Sequence, residues 1–252
     1  MKVGYAVLYE DGELVISKNH SVLKRKIIID YGKFEDINIP WQNESSQIKK
    51  VQILDQVKSN CMKEWFLNCI NLTTLIDFKN LDVSDCTDFS YMFYNCNSLQ
   101  NLNGLENWNV SNSSKFNSMF SHCNSLQNLN ELLNWNVSNG TDFSRMFASC
   151  KFLQDLNGLK NWNVSNCICF SRMFAHCESL QTLNELKHWN VSNATKFSYM
   201  FNNCISLKEI SLPNTLYILT KDMFEKCNSK LKIHWKKHIY TYEDLLEYET
   251  IY

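Results

Sequence analysis

Proline and glycine are scarce in these 252 residues, two and six respectively. So few chain breakers argue against linker stretches and for a single domain. Charge of one sign is missing too. The formal net charge is −1, so no global field draws the chain toward nucleic acid or anionic lipid. Basic clusters stand at Lys24-Arg25-Lys26 and around Lys230, Lys232, Lys236, Lys237 and His238. They read as solvated faces, with nucleic-acid binding through these ends as the less favoured alternative. No apolar run approaches the ~20 residues of a membrane-spanning helix. The stretch between Lys2 and Glu10-Asp11 is too short for the core of an export signal. A cytoplasmic protein is therefore expected, with a cell-surface or secreted protein whose leader was removed as the alternative.

Catalytic arrangements are absent as well. There is no Ser-His-Asp order, no paired carboxylates and no glycine-rich phosphate loop. His122 and His176 share a column two repeats apart, about 10 Å on strand spacing and too far for direct cooperation. No enzyme, cofactor or small-molecule substrate is expected.

What the chain does have is a period. Trp108, Trp135, Trp162 and Trp189 stand 27 residues apart, each opening the string WNVSN. On the same interval run Phe89, Phe116, Phe143, Phe170 and Phe197, the pairs Met92-Phe93 to Met200-Phe201, and Cys69, Cys96, Cys123, Cys150, Cys177 and Cys204. Leucines follow at Leu72 to Leu207 and Leu75 to Leu183, the second column ending in Ile210. Leu81 replaces the first tryptophan, marking an edge copy. Gly104 and Gly158 alternate with Glu131 and Glu185, a two-copy beat that suggests duplication of a pair. A fixed period of this length marks stacked supersecondary units.

Local patterning assigns each unit one strand and one short helix. The L-x-x-L-N segment reads as a strand, and Ser90 to Cys96, with apolar residues three and four apart, as one or two helical turns. Asn103, Asn130, Asn157 and Asn184 follow each strand and are expected to be buried in an inter-repeat ladder. A copy offers about nine apolar side chains worth roughly 1.5–3 kcal/mol each. Backbone ordering costs about 1–2 kcal/mol for each residue. No copy folds alone, so the stack needs caps. Strands are expected over Val3–Tyr9, Glu13–Ser17 across an Asp11-Gly12 turn, and Ile48–Leu54, with a closing helix over Thr241–Tyr248.

Eleven cysteines raise disulfide and metal readings. Six of them share one column beside Phe and Leu, so a buried free-thiol ladder is expected, which suits a reducing compartment. Cys167-Ile168-Cys169 has no evident partner ligands, and no metal site is expected.

The strings WNVSN, MF..C and SL..L resemble those of the BspA-like leucine-rich-repeat proteins of bacteria, in the subtype with a tryptophan and a Met-Phe pair. Leu212-Pro213-Asn214-Thr215-Leu216, and Pro40-Trp41 with Ile48-Lys49-Lys50-Val51, are similar to a shorter repeat variant and to the preceding cap of the same family. The resemblance implies a solenoid used for binding, often as an adhesin or host-interaction protein, and names no partner.

The fold expected is thus an α+β solenoid. Residues 1–60 form an N-terminal β cap, 61–211 the 27-residue leucine-rich repeats, and 212–252 a divergent last repeat with a C-terminal cap. Its function would be recognition of another protein through columns that vary on the fixed scaffold. These are Asn101, Asn128, Asp155 and Thr182 within the strand, then Glu106, Leu133, Lys160 and Lys187 just after it, and Ser118, Arg145, Arg172 and Tyr199 on the helical side. Leu133 is expected to be exposed. An intracellular inhibitor or adaptor of bacterial, phage or mobile-element type and a surface adhesin both fit this pattern.

Overall fold

The structure, a computed structural model, describes residues 2–20, 23, 25–247 and 250–251. Strands concentrate near its ends. β1 (Lys2–Tyr9), β2 (Glu13–Ser17) and β3 (Ile27–Glu35) are followed by β4 (Lys50–Ile53), β5 (Val57–Lys58), β6 (Thr74–Ile76) and β7 (Leu81–Asp82). The first hairpin turns at Gly12, whose φ of +82° suits a residue without Cβ. Register pairs Leu8 with Leu14 and Ala6 with Ile16. Alternation then sends Ala6, Leu8, Leu14 and Ile16 to the main core, and Val7, Tyr9 and Val15 to a small cluster on the other face. The sheet order is β3-β1-β2-β4-β6, with β2, β4 and β6 parallel. β3 was not foreseen in the sequence.

At the other end stand β8 (Glu209–Ser211), β9 (Leu219–Thr220), β10 (Lys232–Trp235) and β11 (His238–Thr241), then helix α1 (Tyr242–Glu247) and β12 (Thr250–Ile251). The closing helix expected over Thr241–Tyr248 is therefore α1, and Tyr248, like Lys24, lies outside the described residues. Among the described residues the sheets are small and none closes on itself.

Between the ends, successive 27-residue copies lie side by side, but two local expectations fail. The Met-Phe segment is not helical. It is a run of tight turns: Met92, Tyr94 and Cys96 donate N–H to Phe89, Tyr91 and Phe93, while Phe89, Tyr91, Phe93 and Asn95 donate to Lys115, Asn117, Met119 and Ser121 of the next copy. Alternate amides thus close turns and link copies, and the same pattern recurs at Phe116, Ser118, Phe120 and His122. The leucine segments of the middle copies are not strands either. One backbone bond joins each of those segments to the next at the glutamine column, from Gln127 to Gln100 and Gln154 to Gln127 at 3.4 Å and from Gln181 to Gln154 at 3.1 Å. Only the terminal copies, through β6 and β8, carry strands in that column. Regular parallel pairing runs instead through Asp88, Lys115, Asp142, Cys169 and Lys196.

The interior follows the period closely. Phe66, Phe93, Phe120, Phe147, Phe174, Phe201 and Phe224 stack face to face at centroid separations of 5.3 to 5.8 Å. Each WNVSN tryptophan donates its indole N–H to a carbonyl of the preceding copy, as Trp135 does to Leu105 at 2.8 Å. The cysteine column is buried and free. Its Sγ–H groups donate backward to phenylalanine carbonyls, from Cys96 to Phe66 at 3.2 Å and from Cys150 to Phe120 at 3.3 Å.

The asparagine ladder exists at other residues. Asn103, Asn130, Asn157 and Asn184 are exposed. The bonds between copies come from the last residue of WNVSN: Asn112, Asn139, Asn166 and Asn193 donate to Ser84, Ser111, Ser138 and Ser165 at 2.7–2.9 Å. Asn103, Asn130 and Asn157 sit instead in turns held by the side chain two residues before, and their own side chains face water.

The Gly/Glu beat has a steric basis in one copy. A Cβ on Gly158 would stand 1.7 Å from the Leu129 carbonyl oxygen, so that copy sits closer to its neighbour than a side chain allows.

Candidate functional site

A backbone feature builds the most distinctive surface. Two columns of residues hold positive φ without being glycine. The first is Glu64, Tyr91, Ser118, Arg145, Arg172 and Tyr199, at 55–63°. The second is Asn68, Asn95, His122, Ser149, His176 and Asn203, at 59–63°. The left-handed region costs an L-residue roughly 1–2 kcal/mol. Here the amide of every residue named from Tyr91 to Arg172 and from Asn68 to Asn203 bonds to the following copy, which offsets that cost.

Between these columns runs a third, Tyr94, Ser121, Ala148, Ala175 and Asn202. Its small central members leave a groove of about 400 Å³. Arg145 and Arg172 form one wall, His122, Ser149 and His176 the other, with Tyr91 and Tyr94 at one end. The Arg172 guanidinium lies 4.7 Å from the Tyr199 ring centroid. Tyr94 packs edge-on against His122 at 5.3 Å. His122 is pushed below its ordinary value, first by burial and then by the positive charges of His176 and Lys151. The two histidines thus share one groove, and the charge of His176 acts on His122 across the span of two copies.

Arg145 and Arg172 are exposed and Tyr199 half-buried, whereas Ser118 is buried, only 2% exposed. Ser118 is thus corrected from surface contact to floor. Asn101, Asn128 and Asp155 are half-buried, and each accepts the amide two residues on, from Asn103, Asn130 and Asn157. Thr182 is exposed beside a second cleft lined by Gln181 and Lys208. Glu106, Lys160 and Lys187 are exposed, and Glu106 accepts the Gly104 amide at 2.7 Å. Leu133, expected to be exposed, is half-buried, in the turn that its amide closes on the Asn130 carbonyl.

Sequence reasoning named Arg145 and Arg172 but left out the facing His122, Ser149 and His176. Their column carried a signal: it varies at the period just before the invariant cysteine. Only the left-handed turns place the two columns on either side of one groove.

Among the described residues no Ser–His hydrogen bond joins a nucleophile to a base, and no group of three or more His, Cys, Asp or Glu side chains converges to hold a metal. No helix of the described residues is long and apolar enough to cross a membrane.

In-register copies laid over one shared apolar interior define a tandem-repeat protein. The family model described as "Mycoplasma protein of unknown function, DUF285" matches residues 60–160 and again 130–235. The chain belongs to this family. Similar solved structures are bacterial leucine-rich-repeat proteins. The T. pallidum leucine-rich-repeat protein TpLRR is 14% identical, with 92% of this chain and 78% of that one covered and a TM-score of 0.35. A leucine-rich cell surface protein of Faecalibacterium prausnitzii is 13% identical over 94% and 95%, with a TM-score of 0.30. At such scores the arrangement of the copies is read from this chain alone. Comparison with curated proteins gives no match.

Proposed function

We propose that the chain is a non-catalytic protein-binding module built on a leucine-rich-repeat solenoid, with segments 1–60, 61–211 and 212–252 as cap, repeats and divergent end. The groove face is its contact surface. One observation carries this reading: exposed Arg145 and Arg172 stand in a left-handed column where the backbone would favour glycine. Arginine beside tyrosine is a common anchor of protein interfaces, and Tyr199 already orients Arg172. The columns Glu106/Leu133/Lys160/Lys187 and Asn101/Asn128/Asp155/Thr182 are secondary contacts in this reading, since Asn101, Asn128 and Asp155 are engaged by their own turns.

A reducing, cytoplasmic setting fits eleven free thiols, and an inhibitor or adaptor acting there is the corresponding role. Affinity capture from lysate tests the surface. Proteins retained by the wild type should be lost by Arg145→Glu/Arg172→Glu and kept by Lys79→Glu/Lys196→Glu, at exposed lysines outside the contact columns, with circular dichroism confirming that all three fold. If the groove variant retains the same proteins as wild type, that face is not the site.

A further inference from the structure

The groove also points to the chemistry it receives. Of the 25 Lys and Arg residues only three are arginine: Arg25, Arg145 and Arg172. Arg25 is committed to Glu13 and Asp11. The other two occupy one column in adjacent copies, on one wall of one groove. Parallel backbones lie about 4.8 Å apart, so both long side chains reach a single small group.

The groove lining contains no carboxylate. Neither guanidinium is paired with a carboxylate among the described residues, in which Lys58, Lys115 and Lys151 all find acidic partners. Backbone amides cannot serve a ligand here, because those of His122, Arg145, Ser149 and Arg172 already bond to the next copy. Recognition therefore falls to side chains. The fixed fork of a guanidinium matches phosphate or carboxylate oxygens in pairs, which an ammonium cannot do.

We propose that the groove seats an oxyanion of the bound protein, phosphate or carboxylate, between Arg145 and Arg172, with His122 and His176 opposite. This rests on the protein-binding reading and deepens it. Stacking on Tyr199 holds the Arg172 fork in place before binding. The titratable and charged groups that share the groove with His122 are Tyr91, Tyr94, Arg145, Arg172 and His176, and Lys151, paired with Glu178 at 3.2 Å, adds its charge. Burial first, and then the positive charges of His176 and Lys151, depress protonation of His122, and an oxyanion opposes the second of these. His122 therefore binds a proton more readily once the groove is filled.

The test uses the full chain with isotope-labelled histidine, titrated with inorganic phosphate at constant ionic strength and followed by NMR. Saturable shifts confined to His122 and His176 are expected, with His20, His188, His234 and His238 unmoved. Arg145→Ala/Arg172→Ala should weaken binding about tenfold or more. Arg145→Lys/Arg172→Lys should recover it only in part, and Lys79→Ala/Lys196→Ala, at exposed lysines outside the contact columns, should leave it unchanged. A phosphoserine peptide and a glutamate-rich peptide then distinguish the source of the oxyanion, and saturable binding of either supports the site. Uniform shifts of all six histidines, an unaltered constant in the double alanine variant, or tighter binding of a single-stranded oligonucleotide than of either peptide would overturn it. If no probe binds while Arg145→Glu/Arg172→Glu still loses its captured proteins, the oxyanion inference fails and the protein-binding reading stands.

Discussion

Raising the pH should unfold this protein abruptly, and the cysteine column is the reason. Cys69, Cys96, Cys123, Cys150, Cys177 and Cys204 are fully buried, and burial pushes each thiol up from an ordinary 9.0, in Cys177 to about 12. A group whose native pKa lies above its unfolded one contributes full stability below the unfolded value. That contribution disappears as pH climbs toward the native value. Each such thiol costs about 1.4 kcal/mol per pH unit above pH 9, so the six together cost on the order of 8. Tyr31 and Tyr242, raised chiefly by burial, act in the same direction. A typical total stability is only ~5–15 kcal/mol, so one or two pH units suffice.

The assay is urea unfolding in reductant between about pH 8 and 10, followed by tryptophan fluorescence, with thiolate absorbance recorded in parallel. Stability should be flat at the lower end and then fall steeply. Cys123→Ala/Cys150→Ala should flatten that fall by about 2.7 kcal/mol per pH unit, whatever the substitutions cost at neutral pH. The reasoning is refuted if thiolate appears while the native fluorescence persists, or if the slope ignores the double substitution.

Three further outcomes test the packing. Asn139→Ala removes the 2.7 Å bond to Ser111 and should cost about 1 kcal/mol, while exposed Asn157→Ala should change stability by less than about 0.5, both read from denaturant midpoints. Gly158→Ala drives a methyl into the Leu129 carbonyl and should lower Tm by several degrees, an unchanged Tm ruling out that close approach. Phe147→Ala, between Phe120 and Phe174 at 5.7 and 5.8 Å, should cost about 3–5 kcal/mol, and a loss near 1 would mean that the column is not a packed stack.

Wherever a side chain's fate depends on apolarity alone, it was legible in the chain. The Phe, Trp, Cys and Leu columns, the Asp11-Gly12 hairpin and α1 fall where pattern and spacing put them. The failures share one cause. The segment Ser90 to Cys96 has the apolar spacing of a helix, yet its alternate amides find partners in the next copy, and a helix would turn them inward. With Tyr91 and Asn95 in left-handed turns, the side chains on either side of Tyr94 splay outward. Nothing in the residue types announces this, since glycine is absent from both columns.

A 27-residue period with apolar positions in fixed phase already dictates copies laid side by side over one shared interior, because a single copy cannot repay the entropy of its own ordering. Which backbone groups join those copies was decided only in three dimensions, since hydrogen-bond partners one repeat away are distant in sequence and close in space. The same contacts set two varying columns opposite each other, and so turned Arg145, Arg172, His122 and His176 from scattered letters into the walls of one groove.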